Sequence, residues 1–345
     1  MYTHILCIAS ACLVFVGVVH VKKQISTLSS SKEADKMLPL LKSTRVASLP
    51  ANSEREKFRL ATAVLVIRFD SSTIERLTKR NNAISSFSWS RYVDHLVFHE
   101  ASKVDSEVLC GTGNLTFTPI DVSKSFEKGH AMSVIGLSGS SLTFKDYPCN
   151  ATSTPTFSTG YRSMCWFWFS EFLRYTNEYD AILRIDDDCY LRNAPVWPTS
   201  PSPISAVIEY WGNDRAEYIN GMFSFFSDLK TKLYREHYTV ENDPFPSTWI
   251  SPYSNVMLYN TSFLRDHVAF AIVADMVQSS RCIWRSRWGD LPLWGATRNT
   301  LGYEISHLQY FSYIHGSHGN RLVTAGTEPQ RNDVMKHSMR PMYFT

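Results

Sequence analysis

Residues 179–188 constrain the fold of this chain more than any other segment. They contain a short apolar run bounded by polar residues, which is typical of a buried β-strand. Three consecutive carboxylates follow at once, Asp186, Asp187 and Asp188. In an open α/β sheet, ligands bind beyond the carboxyl ends of the strands. The sequence therefore places these acids where a ligand would lie.

The acidic triplet predicts a cation site. Adjacent carboxylates repel one another and are costly near a core unless a cation compensates them. Residues two apart in a strand share a face, so we expect Asp186 and Asp188 to point the same way and Asp187 elsewhere. This geometry suits Mn²⁺ or Mg²⁺, which prefer oxygen ligands and can bridge the diphosphate of a nucleotide sugar. The alternative is an acidic turn that caps the next segment, since Asp favours turns.

Length and charge limit the class of protein. The chain has 345 residues, 44% of them hydrophobic, so it can bury one large core or two small ones. Its formal charge of +3, from 35 basic and 32 acidic residues, gives no reason to expect nucleic acid as a partner.

The N-terminus predicts a membrane anchor. Residues 5–21 are apolar or small except His20, and Lys22 and Lys23 follow. This length is near the lower limit for a spanning helix. A cleaved signal peptide is the main alternative, because its apolar core is similar. No clear small-residue cleavage site follows the apolar run, so we expect it to stay attached. Residues 1–21 are then a short cytoplasmic end and a signal-anchor helix.

Two signals oppose each other on the orientation of that anchor. Counting Lys and Arg alone would place the lysine side in the cytoplasm. Glycosylation sequons argue for the secretory lumen, and they begin at Asn114, Asn150 and Asn260. We favour a single-pass type II protein of the Golgi or endoplasmic reticulum, with a stem or linker at 22–58 that is rich in Ser, Lys, Glu and Leu. The large domain at 59–345 is then lumenal.

The cysteines fit this compartment without establishing it. Two of the seven lie in the apolar run, and the five beyond it are Cys110, Cys149, Cys165, Cys189 and Cys282. An odd number leaves at least one of these unpaired within the chain. No C-x-x-C pair occurs, so a structural zinc site is not expected. A disulfide between Cys110 and Cys149 is a trial pairing.

Strand and helix signals alternate along the large domain. Residues 62–70 form a near-continuous apolar run, typical of a parallel strand covered on both faces. Asp70 can cap a helix to about Phe87, and residues 95–99 form a second strand, which implies a right-handed parallel unit. Further helices are predicted at 160–175, 228–237, 262–277 and 294–301, and further strands at 204–210, 222–226, 255–259 and 307–314. This alternation predicts an α/β domain.

Several segments together resemble a known family. Residues 160–165, about two dozen residues before 184–188, look like the helix-to-metal-strand segment of the fungal Kre2/Mnt1-type α-1,2-mannosyltransferases (glycosyltransferase family fifteen). Residues 287–292 read R-W-G-D-L-P and resemble the R-W-G-D-x-P motif of that family. Residues 307–315 are similar to its closing strand, which carries a histidine. The order and approximate spacing agree across residues 60–320.

The resemblance implies a fold and an activity. The fold would be GT-A, the nucleotide-diphospho-sugar transferase fold, with a mixed, mostly parallel central sheet flanked by helices, and residues 59–345 would be its catalytic domain. The protein would be a Golgi type II enzyme that uses Mn²⁺ and transfers mannose from GDP-mannose to a glycan acceptor with retention of configuration.

The resemblance also assigns roles to single residues. The metal-binding acid of the family falls on Asp186, where the fungal enzymes have Glu, and its metal-binding histidine falls on His315. The active-site tyrosine falls on Tyr161 and the motif aspartate on Asp290. Arg68 stands where the family keeps an arginine near the donor nucleotide.

General chemistry adds three residues to the candidate site, and some candidates also have a purely structural interpretation. Asp188 is expected to share the metal with Asp186, and Asp187 and Arg184 are expected near the donor, where arginine binds phosphate in a bidentate manner. Asp290 can orient the acceptor hydroxyl, or it can merely cap the following helix. Tyr161 can be core filling, and His318 is a rival to His315 as ligand.

The chain also departs from the family. The fungal stretch H-F-W-S-N-F-E corresponds to residues 257–264, which contain no acid, and Asp266 is a candidate replacement. Asp187 stands in place of the proline of the acidic motif, and Trp294 in place of a histidine after the R-W-G-D-x-P motif. Two alternatives therefore stay open: a transferase that uses a UDP-sugar, and an inactive lumenal sugar-binding or scaffold protein on a transferase fold.

Overall fold

The computed structural model describes residues 58–67, 70–100, 111–112, 115–134, 147, 149, 158–194, 202–211, 214, 218–236, 238, 240 and 243–325. The predicted anchor at 1–21, the predicted stem apart from its last residue, and Arg68 lie outside these ranges. Within them, no helix combines the length and apolar character needed to cross a membrane.

The strands are numbered in chain order. They are β1 (Leu60–Val66), β2 (Asp94–His99), β3 (Gly111–Thr112), β4 (Leu115–Thr116), β5 (Thr118–Asp121), β6 (Ala181–Ile185), β7 (Cys189–Asn193), β8 (Ile204–Ala206), β9 (Glu209–Trp211), β10 (Ile250–Pro252), β11 (Val256–Asn260), β12 (Ile305–His307), β13 (Ser312–His315) and β14 (Arg321–Thr324).

The helices follow the same order. They are α1 (Ser71–Ser85), α2 (Ser123–Val134), α3 (Thr159–Phe169), α4 (Met222–Arg235), α5 (Thr261–Asp266), α6 (Val268–Ser280), α7 (Cys282–Ser286) and α8 (Asp290–Leu301), with short 3₁₀ turns at Ser90–Tyr92, Glu171–Tyr175 and Gly316–His318.

A seven-stranded sheet lies at the centre, in the order β12-β8-β11-β6-β1-β2-β5. Its neighbouring strands are parallel, except that β11 runs antiparallel to both β6 and β8. A mixed sheet of mostly parallel strands flanked by helices confirms the predicted α/β class.

The first strand shows why the sheet is covered on both faces. All seven residues of β1 are buried, and alternate side chains enter different cores. Ala61, Ala63 and Leu65 pack on the side of the aromatic helix α3. Leu60, Val64 and Val66 pack with apolar residues of α1. The continuous apolar run therefore has the origin that the sequence predicts.

The β1–α1–β2 unit also forms as predicted. The Asp70 carboxylate accepts a hydrogen bond from the Thr73 amide at 2.8 Å and caps α1. The helix returns the chain so that β2 pairs in parallel with β1, with Val64 opposite Val97.

One predicted strand is wrong. Residues 222–226 are the first turns of α4, which continues to Arg235. The buried apolar residues of this segment recur at helical rather than alternating spacing; they are Met222, Phe225, Phe226, Leu229 and Leu233. The predicted helix at 228–237 is the remainder of the same element.

Other predicted elements exist with different boundaries. The helix predicted at 262–277 is divided at His267, whose ring caps α6 through a 3.1 Å bond from the Phe270 amide. The strand predicted at 307–314 is interrupted between β12 and β13, where Tyr310 has a φ of 66°. Helix α8 begins at Asp290, four residues before its predicted start.

The disulfide differs from the trial pairing. Cys149 is bonded to Cys282, 133 residues away, so it has no thiol left for Cys110, which itself lies outside the described residues. Spacing along a sequence does not reveal which cysteines meet, because the pairing depends on tertiary contacts. Cys165 and Cys189 are buried free thiols.

A three-stranded sheet, in the order β14-β13-β7, lies beside the acidic triplet. Strand β6 ends at Ile185 in the large sheet, and β7 begins at Cys189 in the small one. Asp186, Asp187 and Asp188 therefore form the connection between the two sheets.

Candidate functional site

The three acids form a turn at the carboxyl end of β6, the edge where a ligand is expected. The Asp186 amide donates to the Asn255 carbonyl at 3.0 Å, and the Cys189 amide donates to the Asp186 carbonyl at 3.0 Å. Because the strand ends before Asp186, the alternation of a strand does not extend to these residues. Each carboxylate has its own partners.

Asp186 is bound by Arg184, which lies two residues earlier on β6. Arg184 donates from Nε and Nη2 to the two carboxylate oxygens at 2.7 and 3.0 Å. The Asn255 amide group donates to the same carboxylate at 3.0 Å. The third guanidinium nitrogen of Arg184 donates to Asp290. One cation therefore joins two of the predicted site residues.

The surroundings of Arg184 keep it charged. Its side chain is 2% exposed, and the guanidinium carbon lies 4.7 Å from the ring centroid of Trp168. Burial lowers the pKa of Arg184, but the carboxylates of Asp186 and Asp290 outweigh this and raise it well above its ordinary value. The position holds a permanent positive charge between two acids.

Asp187 points towards helix α1. Arg76 donates to its carboxylate from Nε at 2.9 Å. One helical turn later, the buried Arg80 donates to the Ile185 carbonyl at 2.8 Å. Burial and the neighbouring Asp188 charge raise the pKa of Asp187 to about 6, and the Arg76 charge opposes them. Helix α1 thus holds the acid turn with two arginines spaced four apart.

Asp188 lies against His315 at the end of β13. The distance from His315 Nε2 to Asp188 Oδ2 is 3.3 Å, and the Ser317 amide donates to the same oxygen at 3.3 Å. The other ring nitrogen of His315 is 3.0 Å from the Tyr253 hydroxyl. Burial raises the pKa of Asp188, but the His315 and Ser317 contacts outweigh it and hold the pKa below its usual range.

The register of the small sheet brings His315 to the acid turn. His315 is paired with Cys189, the residue after Asp188, and the Gly316 amide donates to the Asp188 carbonyl at 2.7 Å. A Cβ atom at Gly316 would lie 3.2 Å from that carbonyl oxygen and from the Tyr190 ring. Glycine therefore permits the close approach of the two segments.

Tyr161 and Asp290 lie around the 287–292 segment. The Arg287 guanidinium donates to the Tyr161 hydroxyl at 3.2 Å and to Asp214 at 2.8 Å, and its carbon lies 4.2 Å from the Tyr218 ring centroid. Burial raises the pKa of Tyr161, so its hydroxyl keeps its proton at neutral pH. Asp290 is the first residue of α8, and no side-chain hydrogen bond caps this helix.

The structure thus brings the predicted residues into three adjoining groups. Arg184 binds Asp186 and Asp290, His315 contacts Asp188, and Tyr161 contacts Arg287. Asp187 faces away towards α1, and Arg68 lies outside the described residues. The metal and catalytic assignments themselves stay predictions.

Sequence reasoning missed several side chains of the site, among them Arg76, Cys189, Tyr253 and Asn255. The pairing of β11 with β6, which sets Val256 opposite Ile185, brings Asn255 to Asp186, and no sequence pattern gives this register. Arg76 and Arg80 have the i, i+4 spacing of one helix face. No local signal marks Tyr253 or Cys189, because their contact with His315 depends on the small sheet.

One group among the described residues has the donor atoms of a metal site. It consists of Asp188, Cys189 and His315, whose ligand atoms all lie within 4.8 Å of one another. Asp186 is engaged with Arg184 and Asn255 instead.

Comparison with solved structures identifies the fold. The mannosyltransferase Ktr4p of S. cerevisiae is 11% identical, with 80% of this chain and 74% of that chain covered and a TM-score of 0.55. Core-mannan synthase A (CmsA/Ktr4) of Aspergillus fumigatus, in an Mn/GDP form, is 12% identical, with 79% and 76% covered and a TM-score of 0.54. Ktr4p in complex with GDP is 13% identical, with 87% and 81% covered and a TM-score of 0.53.

The chain therefore has a GT-A fold, as predicted. At this identity the likeness shows the fold, and the activity needs a separate argument. No protein-family model matches the sequence, and no curated protein sequence matches it.

Proposed function

We propose that this chain is a metal-dependent, retaining glycosyltransferase that transfers mannose from GDP-mannose to a glycan hydroxyl, as a divergent relative of the Kre2/Mnt1-type family. The observation that carries the proposal is the contact between Asp188, in the acid turn after β6, and His315, at the end of β13, in a GT-A fold. Ligands bind at this edge of an open α/β sheet.

The residues present fit a divalent cation. Asp188 supplies carboxylate oxygens and His315 an imidazole nitrogen, and these are donors that Mn²⁺ accepts. The Asp188 carboxylate is held ionised by its neighbours, so it is ready to bind a cation. When bound, the metal would act as a Lewis acid for the diphosphate leaving group.

The protein side chains would orient the substrates. Arg184 fixes the Asp290 carboxylate by an ion pair, and in this proposal the carboxylate would accept a hydrogen bond from the acceptor hydroxyl. Tyr161 keeps its proton and is held by Arg287, so it would act as a hydrogen-bond donor or acceptor rather than as a base. Arg68 would lie near the donor nucleotide, whereas Asp187 is held towards α1 by Arg76.

The donor is proposed from two kinds of support. The sequence motifs resemble enzymes that use GDP-mannose, and two of the similar structures are described with GDP. The acceptor is proposed to be a glycan of a protein or lipid.

The compartment is proposed from the cysteines and the N-terminus. The Cys149–Cys282 disulfide favours an oxidising compartment, because disulfides persist in secreted and lumenal proteins. We place the chain in the Golgi or endoplasmic reticulum as a type II membrane protein whose residues 1–21 form the anchor.

A non-catalytic role is the second candidate. Asp186 already has Arg184 and Asn255 as partners, and the segment 257–264 contains no acid. Both observations favour a sugar-binding or scaffold protein on a transferase fold. A UDP-sugar transferase is the enzymatic alternative.

A thermal-shift screen tests these candidates. The purified full-length chain is melted with GDP, UDP or CDP, each with and without Mn²⁺, because a ligand that binds only the native state raises the melting temperature. We expect a shift with GDP that needs Mn²⁺, and mannose transfer or GDP-mannose hydrolysis under the same conditions.

Variants locate that shift in the site. Asp188→Asn is expected to abolish it, whereas Asp275→Asn on the exposed face of α6 is the matched control that keeps it. A melting-temperature shift with UDP alone would indicate that the donor is a UDP-sugar. The absence of any shift and of any turnover would support the scaffold.

A further inference from the structure

Arg162 is a half-buried cation to which the proposed function gives no role. It lies in the first turn of α3, directly after Tyr161. Its Nη1 atom donates to the Trp284 carbonyl, whereas its Nε atom is buried and has no hydrogen-bond partner in the described part of the chain. Among the described residues, no carboxylate forms an ion pair with Arg162. Its positive charge is therefore not balanced by the protein.

A second guanidinium, that of Arg287, lies close to Arg162. Arg287 directly follows α7, whose Trp284 accepts the Arg162 bond, and it donates to the hydroxyl of Tyr161, the neighbour of Arg162 on α3. Burial and the Arg287 charge both lower the pKa of Arg162. Asp214 forms an ion pair with Arg287 at 2.8 Å, which offsets the charge of one guanidinium and leaves that of the other.

The position of Arg162 on α3 is also unfavourable for a cation. The amino end of a helix carries a partial positive charge, so it is stabilised by anions and destabilised by cations. Helix α3 has no acidic residue in its first turn. A Cβ atom at Gly160 would have the Ser158 hydroxyl as its nearest neighbour, at 3.8 Å, so there is open space beside this turn. An anionic ligand there would compensate both the helix end and the guanidinium groups.

The two guanidinium groups adjoin the acceptor side of the proposed site. Arg287 is three residues before Asp290, which orients the acceptor hydroxyl in the proposed function, and the charges of both act on the hydroxyl of Tyr161. The metal that would hold the donor diphosphate is placed instead at Asp188 and His315. An anion bound at the two arginines would therefore belong to the acceptor.

We propose that Arg162 and Arg287 bind an oxyanion, a phosphate or a carboxylate, that the acceptor sugar carries. The proposal deepens the proposed function and rests on it for the placing of the acceptor at Asp290. Guanidinium groups bind oxyanions through pairs of parallel hydrogen bonds. Trp284 supplies the one described acceptor of Arg162, which leaves its other N–H groups for a ligand. The site then selects acidic over neutral acceptor glycans.

Sugar binding tests the site without any turnover. Dissociation constants of the full-length protein for mannose 6-phosphate, mannuronate and mannose are measured by ligand-observed NMR, with and without GDP and Mn²⁺. We expect an acidic sugar to bind about tenfold more tightly than mannose, because hydrogen bonds between charged groups are the stronger ones. The tighter of the two acidic sugars identifies the anion as phosphate or carboxylate. The preference is expected to decline with added salt, which screens the charges.

Variants assign the preference to Arg162. Arg162→Gln is expected to lose most of the preference while its affinity for neutral mannose stays unchanged, which a general distortion of the site would not allow. Arg162→Lys should retain part of it, because the charge stays but the paired hydrogen bonds are lost. Arg91→Gln is the matched control and should keep the preference. Arg91 is exposed and precedes β2, at the edge of the sheet opposite the acid turn.

The unaltered protein covers the case in which Arg162→Gln does not fold. A parent protein that binds acidic sugars no more tightly than mannose overturns the proposal, and so does a preference that survives in Arg162→Gln. If Arg162→Gln weakens the binding of GDP and leaves the preference for acidic sugars unchanged, the guanidinium binds the donor, and the acceptor site is overturned.

The outcomes separate this inference from the proposed function. A preference that depends on Arg162, without any nucleotide shift or transfer, keeps this site on a sugar-binding protein and overturns the transferase. A GDP shift with Mn²⁺ and mannose transfer, without any preference for acidic sugars, keeps the transferase and overturns this site.

Discussion

Arg184 binds Asp186 through two separate nitrogens, Nε at 2.7 Å and Nη2 at 3.0 Å from the two carboxylate oxygens. A cation that approached Asp186 would have to share this carboxylate with a guanidinium whose third nitrogen binds Asp290. The acid that the family resemblance assigns to the metal is therefore already neutralised by the protein. Asp188 is the carboxylate that contacts the histidine.

Removal of the Arg184 side chain is expected to destabilise the fold strongly. Arg184→Ala leaves Asp186 and Asp290 buried without their shared counter-charge, and breaking a buried ion pair costs about 3–5 kcal/mol. Urea denaturation measures the loss. Arg298→Ala is the control, because its partner Glu304 is 84% exposed and such pairs contribute about 0–1 kcal/mol. Equal losses in the two variants would contradict a special role for Arg184.

The pH dependence of stability is expected to depend on His95. Burial lowers the pKa of this ring to about 4, and the nearby Ser90 carbonyl only partly opposes the effect. The unfolded state binds a proton below about pH 6.5 while the folded state does not, so stability is lost as the pH falls from about 6.5 towards 4. Linkage gives a loss of about 2 kcal/mol between pH 7.5 and 5.

The His95 effect is isolated by comparing two variants. In His95→Gln, the difference in unfolding free energy between pH 7.5 and 5 is expected to shrink by about 2 kcal/mol. In His307→Gln, whose ring is 50% exposed, that difference is expected to stay as in the parent protein. An unchanged difference in His95→Gln would show that the ring does not carry this pH dependence.

The disulfide is expected to contribute several kcal/mol. Cys149 and Cys282 close a loop of 133 residues, and a crosslink over such a separation removes much of the entropy of the unfolded chain. Replacing both by Ser should cost about 2–5 kcal/mol, measured by denaturation, while Cys165→Ser at a free thiol serves as control. Peptide mapping without reductant should link residues 149 and 282, and a link from 149 to 110 would contradict the pairing.

Gly295 is expected to tolerate no side chain. A Cβ atom there would lie 2.6 Å from the Trp249 ring and 2.7 Å from the Ile250 carbonyl oxygen, and the backbone of β10 cannot move as a flexible side chain does. Gly295→Ala should therefore cost about 1–3 kcal/mol through overpacking, seen as a lower melting temperature. Gly160→Ala on α3 has only the Ser158 hydroxyl nearby, at 3.8 Å, and should be neutral or stabilising because alanine favours helices. Equal changes in the melting temperature of the two variants would contradict the packing argument.

Local patterns predict those parts of the fold that local forces determine. The apolar run of β1 and the Asp70 cap of α1 are both visible in the sequence, and both form as predicted. The sequence predicts a strand at 222–226 because five consecutive residues rich in Phe suit either element. Only the continuation to Leu229 and Leu233 reveals the helical spacing.

The candidate site shows where sequence reasoning ends. The acids, Arg184 and Asp290 stand out by residue type, but Arg184 and Asp290 are 106 residues apart and their pairing depends on the tertiary structure. The contacts of His315 with Cys189 and Tyr253 depend on the register of β13 with β7 and on its distance from β10. Contacts between residues more than sixty positions apart leave no periodic signal in a single sequence.

The acid turn is supported from two distant parts of the chain, by Arg76 and Arg80 on one side and by His315 and Ser317 on the other. During synthesis these supports become available at different times. The roughly 130 residues that separate Asp188 from Ser317 take about 6–26 s to add at 5–20 residues per second. A nascent chain therefore carries its acids with the arginine support alone, and any chain that stops before β13 is left with an unfinished site.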